Sequence, residues 1–461
     1  MSEGAPSGSG DAAAAGRTRE LLHAPLLPTL LRLATPNVIG LFATTVVIGY
    51  DGYILGRLGA DALAGVALVF PLSMLMLQMS NGGMGGAVAS AVARALGGGR
   101  RDEAHGLVPQ ALLIAVVLAL LFMAIMVGFG RSIFAAMGGR GAALDAALAY
   151  SDVLFGGALA IWVPTLLSAI VRGTGNMLLP AMMLTGTAAI HLLLCPLLVF
   201  GWGPVPALGV RGAAFSTLAT SVIAGIVLAA ALVRGKGPIR LRASGWGLRP
   251  ELLRTILRVG VPASLSPVLS NGSIAAATAL IGSYGTAALA GYGVAARLEY
   301  IMVPIAFGFG TALTTLVATN MGAGQRERAL RAAWTGAGVV ALITGTIGTV
   351  AAIRPALWMN HFSVDPAVLA FGTDYLHIVG ASYGLFGLGL ALFFASQGAG
   401  RMLWPLAGSV SRLALVAGGG WIVVRHFNAP ATGFFFVIAA GFAVYAAMIG
   451  GAIGLGRWAQ R

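Results

Sequence analysis

Charge is what this sequence has least of. Of 461 residues, 28 are Lys or Arg and 14 are Asp or Glu, 9% in all, against about 25% in a soluble globular protein. Apolar residues make up 58% and the mean hydropathy is +0.90. A chain of this length cannot hide that much apolar side chain from water, so an ordinary soluble multidomain protein is excluded and lipid must solvate most of the exterior. Cysteine is nearly absent. Cys195 stands alone, which excludes an intrachain disulfide and a multi-cysteine zinc or iron–sulfur centre. Acidic residues are half as numerous as basic ones, and the formal net charge is +14. The basic groups are spread between apolar runs instead of forming a patch, which marks cytoplasmic loops and argues against nucleic acid as a partner. The glycines at 97–99 and 322–324 are followed by no Lys-Ser/Thr pair, so a Walker A phosphate loop is excluded. The energy source is expected to be an ion gradient, and no enzymatic activity is expected. A removable signal peptide is not expected either.

What is present is apolar sequence in lengths that cross a bilayer, about 20 residues each. The runs fall near 31–55, 62–92, 107–129, 148–170, 177–200 and 213–233, and again near 259–281, 287–317, 330–353, 375–396, 402–424 and 433–455. Residues 1–20, rich in Ser, Gly and Ala, read as a disordered cytoplasmic tail, 21–233 as a first lobe, 234–258 as a basic cytoplasmic linker and 259–461 as a second lobe with a short tail. With twelve spans both termini share a side. Twenty of the 28 basic residues fall on that side and six on the other, so the positive-inside rule places both termini in the cytoplasm of a multi-pass inner-membrane protein. The 68 glycines and 20 prolines fit helices packed closely in lipid.

The two lobes are copies. Thr35-Pro36 recurs as Val261-Pro262 and GRLGADALAG from Gly56 recurs as GSYGTAALAG from Gly282, both at an offset of 226. One residue is then lost. At an offset of 225, ARALGGGRRDEA (93–104) recurs as ATNMGAGQRERA (318–329), RGTGNMLLP (172–180) as QGAGRMLWP (397–405) and Tyr150 as Tyr375. A repeat of six spans enters the membrane from the same side each time, so the copies are related by an axis along the membrane normal. Two such bundles can hold a solute between them and rock to expose it on either face. The predicted fold is therefore all-α, with twelve transmembrane helices in two pseudo-symmetric six-helix bundles. A channel would show a pore ring or filter sequence, and none is visible.

These segments resemble the multidrug and toxic compound extrusion (MATE) family of secondary antiporters. The resemblance rests on Pro36, Asp51 and the GRLG turn at 56–59, on the paired ARALGGGRRDEA and ATNMGAGQRERA segments, on RGTGNMLLP, and on GVRGAAFST at 209–217. It runs from about Leu30 to Gly456. It implies a V-shaped central cavity and export of organic cations or amphipathic drugs in exchange for protons or sodium, with no cofactor. It also implies a role in ion coupling for Asp51 and for Thr217. In helix five, the family's Asn and Asp fall here at His191 and Cys195.

A carboxylate inside a span is costly unless it faces the bundle interior or a wet cavity. Asp51 has no acidic counterpart, since the offset of 226 gives Ala277. It is the leading candidate for a reversible proton carrier or small-cation ligand. His191 and Cys195 are four residues apart and share a helix face. At 1.5 Å per residue they lie roughly 21 and 27 Å along helix five, and Asp51 roughly 30 Å along helix one, so the three share a level. An imidazole and a thiol are poor sodium ligands, whereas histidine titrates near neutral pH. Protons are therefore favoured over sodium, and sodium stays open as the alternative. No metal site is expected, for want of a second cysteine. Thr217 can instead spend its hydroxyl on the carbonyl four residues back.

Glu299 is the candidate second acidic site, with an ion pair to Arg412 as the alternative. Asp152 reads equally as an interfacial charge or a cavity lining. Tyr50, Tyr53, Tyr150, Tyr292, Tyr300 and Phe307 are candidates for a cavity wall that stacks on flat organic cations. A flippase for a lipid-linked precursor would need a cationic cavity, and Arg172, Arg297 and Arg412 are too scattered for one. Membrane lipid is the only expected partner besides cargo, and the protein is expected to work as a monomer.

Overall fold

The computed structural model describes residues 9–234, 237–239, 247–456 and 458. Backbone in lipid has no water to bond, so each apolar run must satisfy its amides internally as helix. Eleven helices among the described residues are long and apolar enough to cross a membrane. In chain order, after a first helix α1 (Ser9–His23), they are α2 (Leu26–Gly56), α3 (Ala60–Gly97), α4 (Arg101–Ala136), α7 (Leu178–Phe200), α8 (Val210–Val233), α9 (Pro250–Gly282), α10 (Thr286–Gly322), α11 (Arg326–Ile353), α12 (Pro366–Ala399), α13 (Leu403–His426) and α14 (Ala431–Gly454). The twelfth span is broken. Its halves, α5 (Gly141–Gly156) and α6 (Leu159–Gly173), meet at 47°. All twelve expected spans are present, and most run several residues past their apolar cores. Thus α9 begins at Pro250 instead of 259, inside the expected linker, and α12 at Pro366 instead of 375. Proline suits the first turn of a helix, where its missing N–H has no partner to lose.

The expected disordered tail is helical where it is described, from Ser9 to His23. The end of this segment is anchored: Leu21 is 4% exposed, its carbonyl accepts a bond of 3.1 Å from Asn320 Nδ2, and the Ala24 carbonyl accepts one from Arg328. Buried backbone carbonyls at a chain end need such partners, and here the second lobe supplies them. Residues 1–8 of the tail, 235–236 and 240–246 of the linker, and 457 and 459–461 of the C-terminal tail lie outside the described residues.

Helices α2–α8 form the N lobe and α9–α14 the C lobe, and the duplication is visible atom by atom where the lobes meet. Gly97 lies against the Thr319 carbonyl, and a Cβ there would collide with it; Gly322 lies in the same way against the Arg94 carbonyl. Gly97 and Gly322 are repeat partners at an offset of 225, and so are Arg94 and Thr319. Two hydrogen bonds obey the same rule. Ser90 Oγ donates to the Gln397 carbonyl at 2.7 Å, and its repeat partner Thr315 donates to the carbonyl of Arg172, the repeat partner of Gln397, at 3.2 Å. Reciprocal contacts of this kind are what a two-fold axis produces. They close the lobes on each other at the end of the molecule that carries the turns at 98–100 and 323–325. The glycines are needed for this approach because a helix backbone can touch another only where no side chain intervenes.

One irregularity sits on the lobe boundary. Residues Gln78–Gly85 of α3 are wound as a π-helix. This offset turns Gly83 toward Ser264 of α9, so closely that a Cβ would overlap the serine. The freed carbonyls of Gly82 and Gly83 accept bonds from Gln397 Nε2 at 2.9 and 3.0 Å. An irregular turn is tolerated in a span when a neighbouring helix satisfies the backbone it exposes.

Candidate functional site

Three helices of the N lobe bring the site together. Asp51 lies in the last turns of α2, His191 and Cys195 lie one turn apart on α7, and Ser216 lies near the start of α8. The Asp51 carboxylate is bonded through Oδ1 to His191 Nε2 at 2.8 Å. The same oxygen accepts the Cys195 thiol at 3.5 Å. The other ring nitrogen, His191 Nδ1, is 3.0 Å from Ser216 Oγ. Nδ1 and Nε2 are thus both engaged, and the ring is held at two points. The exposures are unequal: the His191 side chain is 4% exposed and that of Asp51 22%, while Cys195 is fully buried among Ile54, Leu55, Val199 and Ala213.

Asp51 owes its exposure to a cavity of about 470 Å³ in the N lobe, on the side away from the turn at 98–100. Asp51 and His191 are the acidic and histidine groups on its wall, and no Lys or Arg lines it among the described residues. The rest is mostly apolar, with Phe70, Met74 and Tyr150 contributing larger surfaces and Thr217, Thr220 and Ser221 hydroxyls. A concave, largely apolar site with a few converging polar groups is the usual form of a small-molecule pocket.

The sequence candidates divide clearly against this geometry. Asp51, His191, Thr217 and Tyr150 all line the cavity. Thr217, however, donates its hydroxyl to the Ala213 carbonyl at 3.2 Å, and it is Ser216 that touches the histidine. Sequence reasoning missed Ser216; it neighbours a flagged residue, but its contact with His191 depends on how α8 is rotated. Tyr50 packs beside Cys195 in the small apolar cluster behind the site instead of on the cavity wall. Tyr53 is 62% exposed, with the Arg57 guanidinium 6.0 Å from its ring centre. Asp152 is exposed and away from the cavity, which leaves the interfacial reading. In a helix bathed by lipid the outward face is as apolar as the inward one, so no stripe in the sequence tells which way these residues point.

The remaining candidates lie in the C lobe. Glu299 Oε1 accepts hydrogen bonds from Tyr375 at 2.8 Å and Tyr383 at 3.3 Å. The ion pair with Arg412 that stood as the alternative is not among the ion pairs of the described residues; the Arg412 guanidinium instead stacks 4.6 Å from the centre of the Phe442 ring. Tyr292 is buried edge-on to Tyr375, Tyr300 is 62% exposed, and Phe307 packs edge-on to Phe394. None of these four side chains borders the N-lobe cavity.

Comparison with known proteins agrees with this architecture. The family profile described as MatE matches the chain twice, over residues 36–197 and 262–422, once in each lobe. The chain is 31% identical over 374 residues to a probable multidrug resistance protein, NorM, of Deinococcus radiodurans, covering 76% of this chain and 78% of that one. It is 26% identical over 406 residues to an FAD transporter of Shewanella oneidensis, covering 86% and 87%. Among solved structures, it superposes with a TM-score of 0.87 on a MOP superfamily transporter from Pyrococcus furiosus, at 23% identity over 96% of this chain and 98% of that one. It also superposes with a TM-score of 0.85 on a MATE family transporter in an outward-facing conformation, at 22% identity over 95% and 97%. With a duplicated profile match covering most of both lobes and the twelve-helix fold to go with it, the chain belongs to the MATE family of membrane transporters.

Proposed function

We propose that the protein exports organic cations or amphipathic drugs from the cytoplasm in exchange for protons, with Asp51 as the proton-carrying group. The observation that carries this reading is the Asp51 carboxylate, bonded to His191 at 2.8 Å and facing the N-lobe cavity. The positive-inside count supports a cytoplasmic position for the closed end of the molecule, and on that reading the cavity opens to the outer side. A proton arriving from outside adds to Asp51 and removes the charge that attracts a cationic cargo. The lobes then rock, the proton leaves on the inner side, and the restored carboxylate meets new cargo. Coupling requires only that proton and cargo compete for one charge or favour different states.

Two features favour this reading over its neighbours. The groups within bonding distance of Asp51 are an imidazole nitrogen and a thiol, a poor shell for sodium, which prefers carboxylate and carbonyl oxygens. The cavity wall carries no Lys or Arg among the described residues. This argues against an anionic cargo such as a flavin dinucleotide or a lipid diphosphate, whose phosphates call for cationic partners. The test is efflux of a fluorescent organic cation from proteoliposomes under an imposed proton gradient and, separately, a sodium gradient. Proton-driven transport that Asp51→Asn abolishes is the expected result. Transport driven equally by sodium alone, or unchanged in Asp51→Asn, would overturn it.

A further inference from the structure

The donor atoms of Asp51, His191 and Cys195 all lie within 4.8 Å of one another. The sequence offers no second cysteine beside His191 and Cys195, but α2 supplies a carboxylate oxygen as third donor. We propose that these three residues form a binding site for a borderline divalent transition-metal ion of the Zn²⁺ type, with the fourth coordination position open to the N-lobe cavity.

Geometry, charge and surroundings support the assignment independently. Around tetrahedral Zn²⁺, with bonds of about 2.0–2.3 Å, neighbouring donors stand roughly 3.3–3.7 Å apart. Cys195 Sγ is 3.5 Å from Asp51 Oδ1, and His191 Nε2 is 2.8 Å from it. Two edges of a coordination shell are therefore close to assembled; metal entry needs the histidine and carboxylate to separate slightly and the His191 and Cys195 donors, within 4.8 Å of each other, to draw together around the ion. Binding forms metal bonds to Nε2, Oδ1 and Sγ, and the thiol proton passes to water in the cavity. The charges of a divalent ion, one carboxylate and one thiolate then cancel, leaving a neutral cluster, which is the inexpensive way to bury an ion in an apolar lobe. A thiolate beside an imidazole selects for zinc-like ions and against sodium, magnesium or calcium.

The support behind the histidine is also in place. Ser216 Oγ, fully buried, sits 3.0 Å from Nδ1. As acceptor of the Nδ1 proton it leaves Nε2 free to bind metal, the usual arrangement around a ligating histidine. Asp51 and His191 border the cavity while Cys195 lies behind them, and Asp51 is the more open of the two, its side chain 22% exposed against 4% for His191. Entry and the fourth ligand, water or a donor atom of the cargo, come from there. Three protein donors and one open position is the pattern of a reactive or exchangeable zinc site, whereas a structural one is closed by four. The proposal stands whether or not Asp51 carries the coupling proton.

The experiment uses the full chain in detergent with any affinity tag removed, titrated with Co²⁺ alone and then with Zn²⁺. Because Cys195 is the only thiol in the protein, a thiolate-to-cobalt charge-transfer band has a single origin. The expected result is such a band, bleached when Zn²⁺ displaces the cobalt and absent in Cys195→Ser. Zn²⁺ affinity should drop by about 10–100-fold in Ser216→Ala and at least as far in Cys195→Ser. A wild-type protein that binds Co²⁺ without the band, or binds neither ion, overturns the proposal, and so does Zn²⁺ affinity unchanged in Cys195→Ser. The wild-type spectrum decides the matter even where a variant fails to fold. Proton-driven efflux measured in the presence of a chelator reports on coupling separately, so the failure of one reading is distinguishable from the failure of the other.

Discussion

In the N lobe a carboxylate comes from the first helix of the repeat, reaches a cavity and is held by a histidine; in the C lobe the matching position is Ala277, and the carboxylate, Glu299, comes from the second helix and is held by two tyrosines. One of those tyrosines, Tyr375, is the repeat partner of Tyr150, which lines the Asp51 cavity. The frame has therefore kept its symmetry while the polar interior has lost it. Asp51 has an imidazole partner and one side open to the cavity. Glu299 has two phenolic donors, which fix it as a node between α10 and α12. On the proposed reading, the two matched lobes serve the rocking motion and the N lobe alone holds the coupling group.

The largest expected difference between the lobes is in transport. Asp51→Asn should reduce proton-driven efflux to that of protein-free vesicles while leaving thermal unfolding in detergent close to wild type. Glu299→Gln should do the reverse, retaining coupling but losing about 1–3 kcal/mol of stability, because an amide replaces a carboxylate that accepts two buried hydrogen bonds. Equal loss of coupling in both variants would erase the distinction. Next in size is a test of the shared frame. Gly97→Val and Gly322→Val should each cost about 1–3 kcal/mol or more from overpacking against a carbonyl that cannot retreat, and the two values should agree because the sites are symmetry copies. A clear inequality would mean that the lobes do not meet as equals. The smallest effect concerns the matched tyrosines. Tyr375→Phe should cost about 1 kcal/mol for the lost bond to Glu299. Tyr150→Phe should have little effect on unfolding and should change cargo affinity instead, measurable by fluorescent-cation binding.

Much of this was legible in the sequence, for identifiable reasons. Lipid forces each apolar run into helix, so twelve spans could be counted, and the rise of the helix let Asp51, His191 and Cys195 be placed at one level from their positions in the chain. The glycine-rich repeats announced close backbone approach between copies. Helix rotation was the illegible feature. Tyr53, Tyr300 and Asp152 lie at plausible depths but turn away from the cavity, while Ser216, beside the flagged Thr217, turns in. The described part of the N-terminal tail is helical because its alanine run favours helix despite the flanking Ser and Gly, and the groups that anchor its end at Leu21 and Ala24, Asn320 and Arg328, lie some three hundred residues away.

The twin glycine contacts at Gly97 and Gly322 carry a further consequence. Since a single two-fold axis generates both, a hinge that crosses that axis at the far end of the molecule separates the two contacts together. Opening at that end then breaks both backbone contacts in one movement, so the paired glycines act as a single latch and not as two.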